Sequence, residues 1–160
     1  MSQQPLLQVT NLTKHFPVRG SGHRVVHAVD NVSFAINKGT TLGLVGESGC
    51  GKSTCARTII RIYEPTSGQV KLDGQAISSL SPKDLQPIRR KMQMIFQDPY
   101  ASLNARMTVR DLIAEPLQAH HAANSRAEED ALIRDMLTRV GLTPEHASRY
   151  PHEFSGGQRQ

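Results

Sequence analysis

At 160 residues, 38% hydrophobic and 21% charged, the chain has the make-up of one globular domain with a real core, which excludes a disordered polymer and a multidomain machine. Aromatics at 4%, with no Trp, argue against a base-stacking platform for single-stranded nucleic acid, and no apolar run approaches the roughly 18 residues of a membrane helix. A net charge of +5 suits an anionic partner, but the only basic cluster, Arg89-Arg90-Lys91, reads as a solvated face and no nucleic-acid partner is expected.

The opening Met-Ser-Gln-Gln-Pro lacks a basic segment followed by an apolar one, so no secretory signal is expected. Leu6 to Val9 has strand character. Val25–Val29 and Val32–Ile36 read as two strands separated by Asp30-Asn31. Thr40 to Val45 is a compact β-branched run, the pattern of a fully buried strand. Apolar residues at helical spacing then run from Ser53 to Tyr63, ahead of Pro65. Asp73-Gly74 closes a hairpin over Gln69–Leu72. Ser81-Pro82 starts a helix, and Met92–Phe96 is another buried-strand candidate. Thr108 with Asp111, and Ser125 with Glu128, are capping pairs. The helix after Ser125 carries Leu132, Ile133, Met136, Leu137 and Val140 on one face, with Asp130–Arg134 and Asp135–Arg139 as pairs on its wet side, and Gly141 ends it. Thr143-Pro144 begins a further short helix. No repeat or low-complexity tract is present.

Between the first buried strand and its helix lies Gly46-Glu47-Ser48-Gly49-Cys50-Gly51-Lys52-Ser53, which matches the phosphate-binding loop pattern G-x-x-x-x-G-K-[ST]. The residue types follow from the task. Glycines let successive backbone amides turn inward toward phosphate oxygens, and the helix start adds its positive end. Lys52 brings a full charge to the β- and γ-phosphates, and Ser53 offers a hydroxyl to Mg2+, a cation that prefers oxygen. Cys50 and Cys55 read as small space-fillers in a reducing, cytoplasmic setting; a thiol-sensor role is the alternative. His120-His121 lacks a further ligand at useful spacing and reads as a solvated loop.

The loop alone leaves several nucleotide-dependent classes open. Two further segments narrow them: Phe96-Gln97-Asp98-Pro99-Tyr100-Ala101-Ser102-Leu103-Asn104 and Phe154-Ser155-Gly156-Gly157-Gln158-Arg159-Gln160. With the loop, they resemble the ATP-binding subunits of ABC transporters in identity, order and spacing. The segment from Phe154 resembles the Leu-Ser-Gly-Gly-Gln signature, with Phe154 in place of Leu, and the segment from Phe96 resembles the Q-loop region. Within that family the chain is most similar to the dipeptide and oligopeptide importer branch, from about Leu6 to Gln160. Thr54 and Arg149-Tyr150-Pro151-His152 belong to that likeness, and Cys55 and Ala105 depart from it.

The resemblance implies an α/β fold: a P-loop core with a parallel sheet and an N-terminal antiparallel β region over residues 1–104, then a helical subdomain over 105–160 ending in the signature. It implies ATP and Mg2+ as ligands, held by residues 46–54, with Ser53 and Gln97 toward the metal and Lys52 and Gln97 in catalysis. Phe16 would stack on adenine; a place at the edge of the core is its other reading. Gln97 would sense the γ-phosphate, or else be a polar strand end. Ser155, Gly156, Gly157 and Gln158 would face the ATP of a partner protomer; by themselves they read as a plain turn. The expected partners are a second ATP-binding subunit, identical or not, transmembrane permease subunits, and indirectly a solute-binding protein; the chain itself is expected at the cytoplasmic face of the inner membrane, as a peripheral protein. The family pattern continues past the signature with an apolar strand ending in Asp-Glu and a switch His. These 160 residues do not contain them, so negligible hydrolysis is expected of this stretch alone. A non-catalytic nucleotide-binding or permease-docking module is the main alternative; a soluble ABC ATPase of translation or DNA repair is disfavoured by the absence of sustained heptads.

Overall fold

The computed structural model describes residues 4–18, 20, 23–96 and 102–159. Gln97 and residues 98–101 of the expected Q-loop region lie outside them. The chain forms two compact units, Met1–Met94 and Ile95–Gln160.

The first unit is built on a four-stranded antiparallel sheet in the order β2-β1-β3-β4. Strand β1 spans Leu7–Pro17 and β2 spans Val25–Ile36. The two strands expected on either side of Asp30-Asn31 are therefore one. The chain passes that point because Asn31 adopts φ 51° opposite Asn11 at φ 50°, and the Asn11 side-chain amide donates to Asn31 Oδ1 at 2.6 Å. Asparagine is among the few residues that accept this backbone region readily. Nearer the far end of the pair, Lys14 faces Val29 while His15 faces His27, so Ala28 is an extra residue, a β-bulge. Strand β3 (Ser67–Leu72) turns into β4 (Gln75–Ala76) through Asp73 at φ 47° and Gly74 at φ 77°. Two consecutive left-handed residues make the hairpin turn the Asp-Gly pair predicts.

Val9, Leu12 and Val70 of this sheet are buried, as is Ile77 just after β4. Helix α1 (Lys52–Ile59) adds Cys55 and Ile59, and α2 (Pro82–Arg89) adds Leu85 and Ile88. Ser81 caps α2, its hydroxyl accepting from the Asp84 amide at 3.3 Å with Pro82 in the first turn. Helix α1 stops short of the expected Tyr63 because Arg61 turns left-handed at φ 59°. Its buried guanidinium donates to the carbonyls of Ile77 and Leu80, at 2.5 and 3.2 Å, and meets the exposed Glu64 carboxylate at 2.7 Å.

Neither buried-strand candidate forms a strand. Val45 is 89% exposed and Ile95 97%, and Leu42, Leu44 and Phe96 are exposed too. A β-branched run suits a strand interior, yet a strand exists only where a neighbour completes its ladder of hydrogen bonds. Among the described residues no strand pairs with 40–45 or 92–96, and the expected parallel sheet is not formed.

The other unit is helical. Helices α3 (Val109–Ala119) and α4 (Arg126–Arg139) bury Ala114, Leu117, Ile133 and Leu137 together. Thr108 and Ser125 cap them as the sequence suggests, accepting from the amides of Asp111 and Glu128 at 3.2 Å each. Gly141, at φ 78°, closes α4: its amide donates to the Thr138 carbonyl and that of Leu142 to Leu137, the paired bonds of a Schellman ending. The expected apolar face is narrower than its periodicity, since Met136 and Val140 are exposed. Asp135–Arg139 forms at 2.8 Å, but Asp130 pairs across to Arg110 on α3 at 2.6 Å, in place of the expected Arg134. Short 3-10 turns over Pro144–Ser148, Pro151–Glu153 and Gly157–Arg159 finish the unit.

The Arg61 contacts give a prediction. Arg61→Leu keeps much of the volume but leaves two carbonyls without their donor, and lowers unfolding free energy by about 2–3 kcal/mol. Glu64→Gln removes only an exposed ion-pair partner and stays within about 1 kcal/mol. Urea melts of the two variants make the comparison; equal losses overturn the assignment.

Candidate nucleotide site

Residues 46–50 are exposed, and the loop they form is shaped by its own backbone. The Cys50 amide donates to the Glu47 carbonyl at 3.3 Å across a tight turn, with Gly49 at φ 85°. Gly51 is the first residue flanking α1 and sits at φ 94°. A Cβ there would strike the Ala28 carbonyl oxygen and lie 3.2 Å from its carbon, so the loop rests directly on the β2 bulge. Only glycine satisfies both the dihedral and the close approach.

Helix α1 begins differently from the other described α-helices. Each of α2, α3 and α4 has a capping hydroxyl and an acidic residue in its first turn. Helix α1 has neither, so its positive end is left without a side-chain acceptor or countercharge. Lys52 curls back over the loop, its ammonium donating to the carbonyls of Gly46 and Glu47 at 2.8 and 2.6 Å and lying 3.6 Å from Cys50 Sγ. A full positive charge and an uncapped helix start thus share one exposed loop, an arrangement that fits a polyphosphate. Ser53 is exposed on the first turn, and Thr54 follows it within α1. A cavity of about 360 Å³ opens beside the loop, with Val29, Leu44, Val45 and Lys52 in its wall. Cys50 is exposed, whereas Cys55 is buried and burial pushes its thiol pKa up.

Phe16 lies on β1 opposite Val26, half-buried, with Tyr63 edge-on to its ring at 5.2 Å and the Lys14 ammonium 4.8 Å from its centroid. The sequence offers both adenine stacking and core edge for this residue; its ring is partly accessible and braced from the side. The Tyr63 brace escapes sequence reasoning, where Tyr63 reads only as the end of a helix. The packing of Ala28 against Gly51 escapes it as well, because a bulge leaves no signal in hydropathy alternation.

Ser155 to Gln158 belong to the helical unit. They enter a short 3-10 turn, and Ser155 does not act as a side-chain acceptor for it. The Ser155 amide and hydroxyl both donate to Gln158 Oε1, at 3.1 and 3.2 Å. Phe154 is buried, edge-on to His146 at 5.4 Å, which anchors the turn to its unit. Nothing crowds Gly157, so its backbone can be approached closely.

Two glycine substitutions test the loop's support. Gly51→Ala combines left-handed strain with a backbone clash and destabilises by about 3 kcal/mol or more. Gly49→Ala meets open space and costs only about 1–2 kcal/mol, the left-handed penalty. Chemical denaturation of both reads the difference, and equal costs refute the close approach.

The ABC transporter family model matches residues 29–160. Among curated proteins the chain is 56% identical to the oligopeptide transport ATP-binding protein OppF of Bacillus subtilis (strain 168), covering 98% of this chain and 51% of that protein. It is 53% identical to the glutathione import ATP-binding protein GsiA of Escherichia coli (strain K12), covering 98% of this chain and 26% of GsiA. The chain thus spans about half the length of OppF, and less of GsiA. Among solved structures it resembles the ATP-binding cassette MJ0796, in a dimeric post-hydrolysis state bound to ADP and Pi, with a TM-score of 0.78 and 29% identity over 96% of this chain and 65% of that one. On the match of the family model and the likeness to these cassettes, the chain belongs to the ABC transporter family.

Proposed function

We propose that the protein is the ATP-binding subunit of an ABC importer for oligopeptides or a similar small solute, and that it couples ATP binding and hydrolysis to uptake. The observation that carries this reading is the loop over residues 46–53, where Lys52 and an uncapped helix start offer positive charge to the same space. The likeness to OppF, whose name specifies oligopeptide transport, supports the solute class.

In this reading the amides of the loop and of the first turn of α1 bind the phosphates. Lys52 exchanges its loop carbonyls for phosphate oxygens, a stronger charge-assisted contact. Ser53 and Gln97 supply oxygens toward Mg2+, which offsets phosphate charge when bound. Phe16, braced by Tyr63, stacks on the base. Residues 1–104 serve as the β subdomain and nucleotide core and 105–160 as the helical subdomain. Ser155, Gly156, Gly157 and Gln158 meet the nucleotide of a second ATP-binding subunit. The Gln158 amide oxygen then releases the Ser155 amide and hydroxyl for phosphate, so the turn is held shut by a bond the ligand replaces. No helix of the described residues is long and apolar enough to cross a membrane, and permease subunits supply the path for solute from their contact at the cytoplasmic face of the inner membrane.

A polypeptide of these 160 residues binds nucleotide without appreciable turnover, because phosphate-holding groups lower no chemical barrier unless the attacking water is also positioned. Three measurements test this reading. ATP shields Cys50 from a maleimide while the buried Cys55 stays unlabelled with or without nucleotide; undiminished Cys50 labelling at saturating ATP counts against the site. Lys52→Ala weakens nucleotide binding by about 10- to 100-fold, the loss of a charged hydrogen-bonding group, with little change in melting temperature. Phosphate release from the 160-residue polypeptide at about 1 s⁻¹, an ordinary enzyme rate, overturns the claim of negligible turnover.

A further inference from the structure

On the β1–β2 pair, where His27 and Asp30 also line the cavity beside the loop, three groups come together that the nucleotide reading leaves unused. His15 and His27 are direct cross-strand partners, with ring centroids 3.9 Å apart. The Ala28 bulge breaks the alternation of β2, so that Asp30, three residues beyond His27, returns to the same side. Asp30 then reaches both rings: Oδ1 lies 3.8 Å from His15 Nε2, and Oδ2 lies 3.6 Å from His27 Nδ1. One donor atom from each residue falls within 4.8 Å of the others.

We propose that His15, His27 and Asp30 form a binding site for a borderline divalent transition metal of the zinc class, with a fourth position open to water. The donor set decides the class. Two imidazole nitrogens and one carboxylate oxygen suit zinc and its neighbours, whereas Mg2+ takes an all-oxygen shell. Ligand atoms about 2.0–2.2 Å from a tetrahedral metal stand roughly 3.3–3.6 Å apart; each histidine is within a few tenths of an ångström of that from one or other Asp30 oxygen, and the full set, within 4.8 Å, closes onto an ion by side-chain rotation. His27 and Asp30 have side chains 57% and 65% exposed, free to close the remaining gap and open to an entering ion.

His15 supplies the independent observation. Its side chain is 22% exposed, yet Nε2 is buried with no hydrogen-bond partner among the described residues. A buried nitrogen without a partner calls for one, and a metal held by His27 and Asp30 provides it. Lys14, next to His15 in the chain, has its ammonium over the Phe16 ring. The strand holds the arrangement, because the His15 amide donates to Thr66 Oγ1 at 2.9 Å. Though His27 and Asp30 line the cavity beside the loop, the metal proposal does not rest on the nucleotide reading.

Titration of the intact protein with Zn2+, and with Co2+ as a spectroscopic probe, is made without nucleotide. The parent binds one equivalent that His27→Gln and Asp30→Asn each lose or weaken at least tenfold, with Co2+ giving visible bands free of thiolate charge transfer. Zinc also protects His15 and His27 of the parent from diethyl pyrocarbonate, mapped by mass spectrometry, a readout that needs no variant. If parent and variants bind the same number of equivalents with the same affinity, or if both histidines are carbethoxylated equally with and without zinc, the triad is only a histidine–aspartate ion pair and the proposal fails. Because nucleotide is absent, that failure leaves the proposed ATP site untouched.

Discussion

The contact on which the sheet unit depends is the one between the Ala28 carbonyl and the bare α-carbon of Gly51. Two devices meet there. A bulge pushes the β2 backbone outward, and a left-handed glycine lets the end of the loop come down on it. From that point α1 starts, with Cys55 and Ile59 directed into the core shared with the sheet. The loop's open shape follows: its last residue is fixed from below, its turn is closed by Cys50 on Glu47, and Lys52 lies across the top. The bulge that seats the loop is also the one that turns Asp30 toward His15 and His27. One inserted residue therefore organises both the loop over residues 46–53 and the His15–His27–Asp30 cluster.

What is legible in the sequence is local chemistry. The glycines and lysine of residues 46–53, the Asp73-Gly74 turn, the capping hydroxyls of Ser81, Thr108 and Ser125, and the Gly141 stop each involve groups a few residues apart, and each appears where its spacing places it. What is not legible depends on distant neighbours. Residues 40–45 and 92–96 have the composition of buried strands, but composition supplies no partner for a hydrogen-bond ladder. Helical spacing assigns Asp130 to Arg134, yet Arg110 on a packed helix offers two nitrogens within reach and wins. The bulge at Ala28 lies between these cases: its trace in the sequence is a pair of histidines and an aspartate whose relation emerges only when the register is known.

The two units differ in how they use charge. In the helical unit, acidic residues sit at helix starts and Arg110 bridges Asp130 and Glu129, so that charges are matched within the unit. Asp130, and to a smaller extent Glu129, hold the Arg110 guanidinium more firmly in its charged form. In the sheet unit the start of α1 is left unmatched. Helix starts that serve only stability carry their own countercharge; the one beside the glycine loop leaves that role open.

Arg61 shows a different use of a cation. Two of its acceptors are main-chain carbonyls, that of Ile77 buried and that of Leu80 partly so, and only the third is a carboxylate at the surface. Mobile ions crowd around exposed charges and weaken their pairing, but they do not displace a peptide oxygen from a buried guanidinium. The joint between the end of α1, the hairpin and the start of α2 should accordingly survive concentrated brine, where the surface ion pairs of the helical unit loosen first.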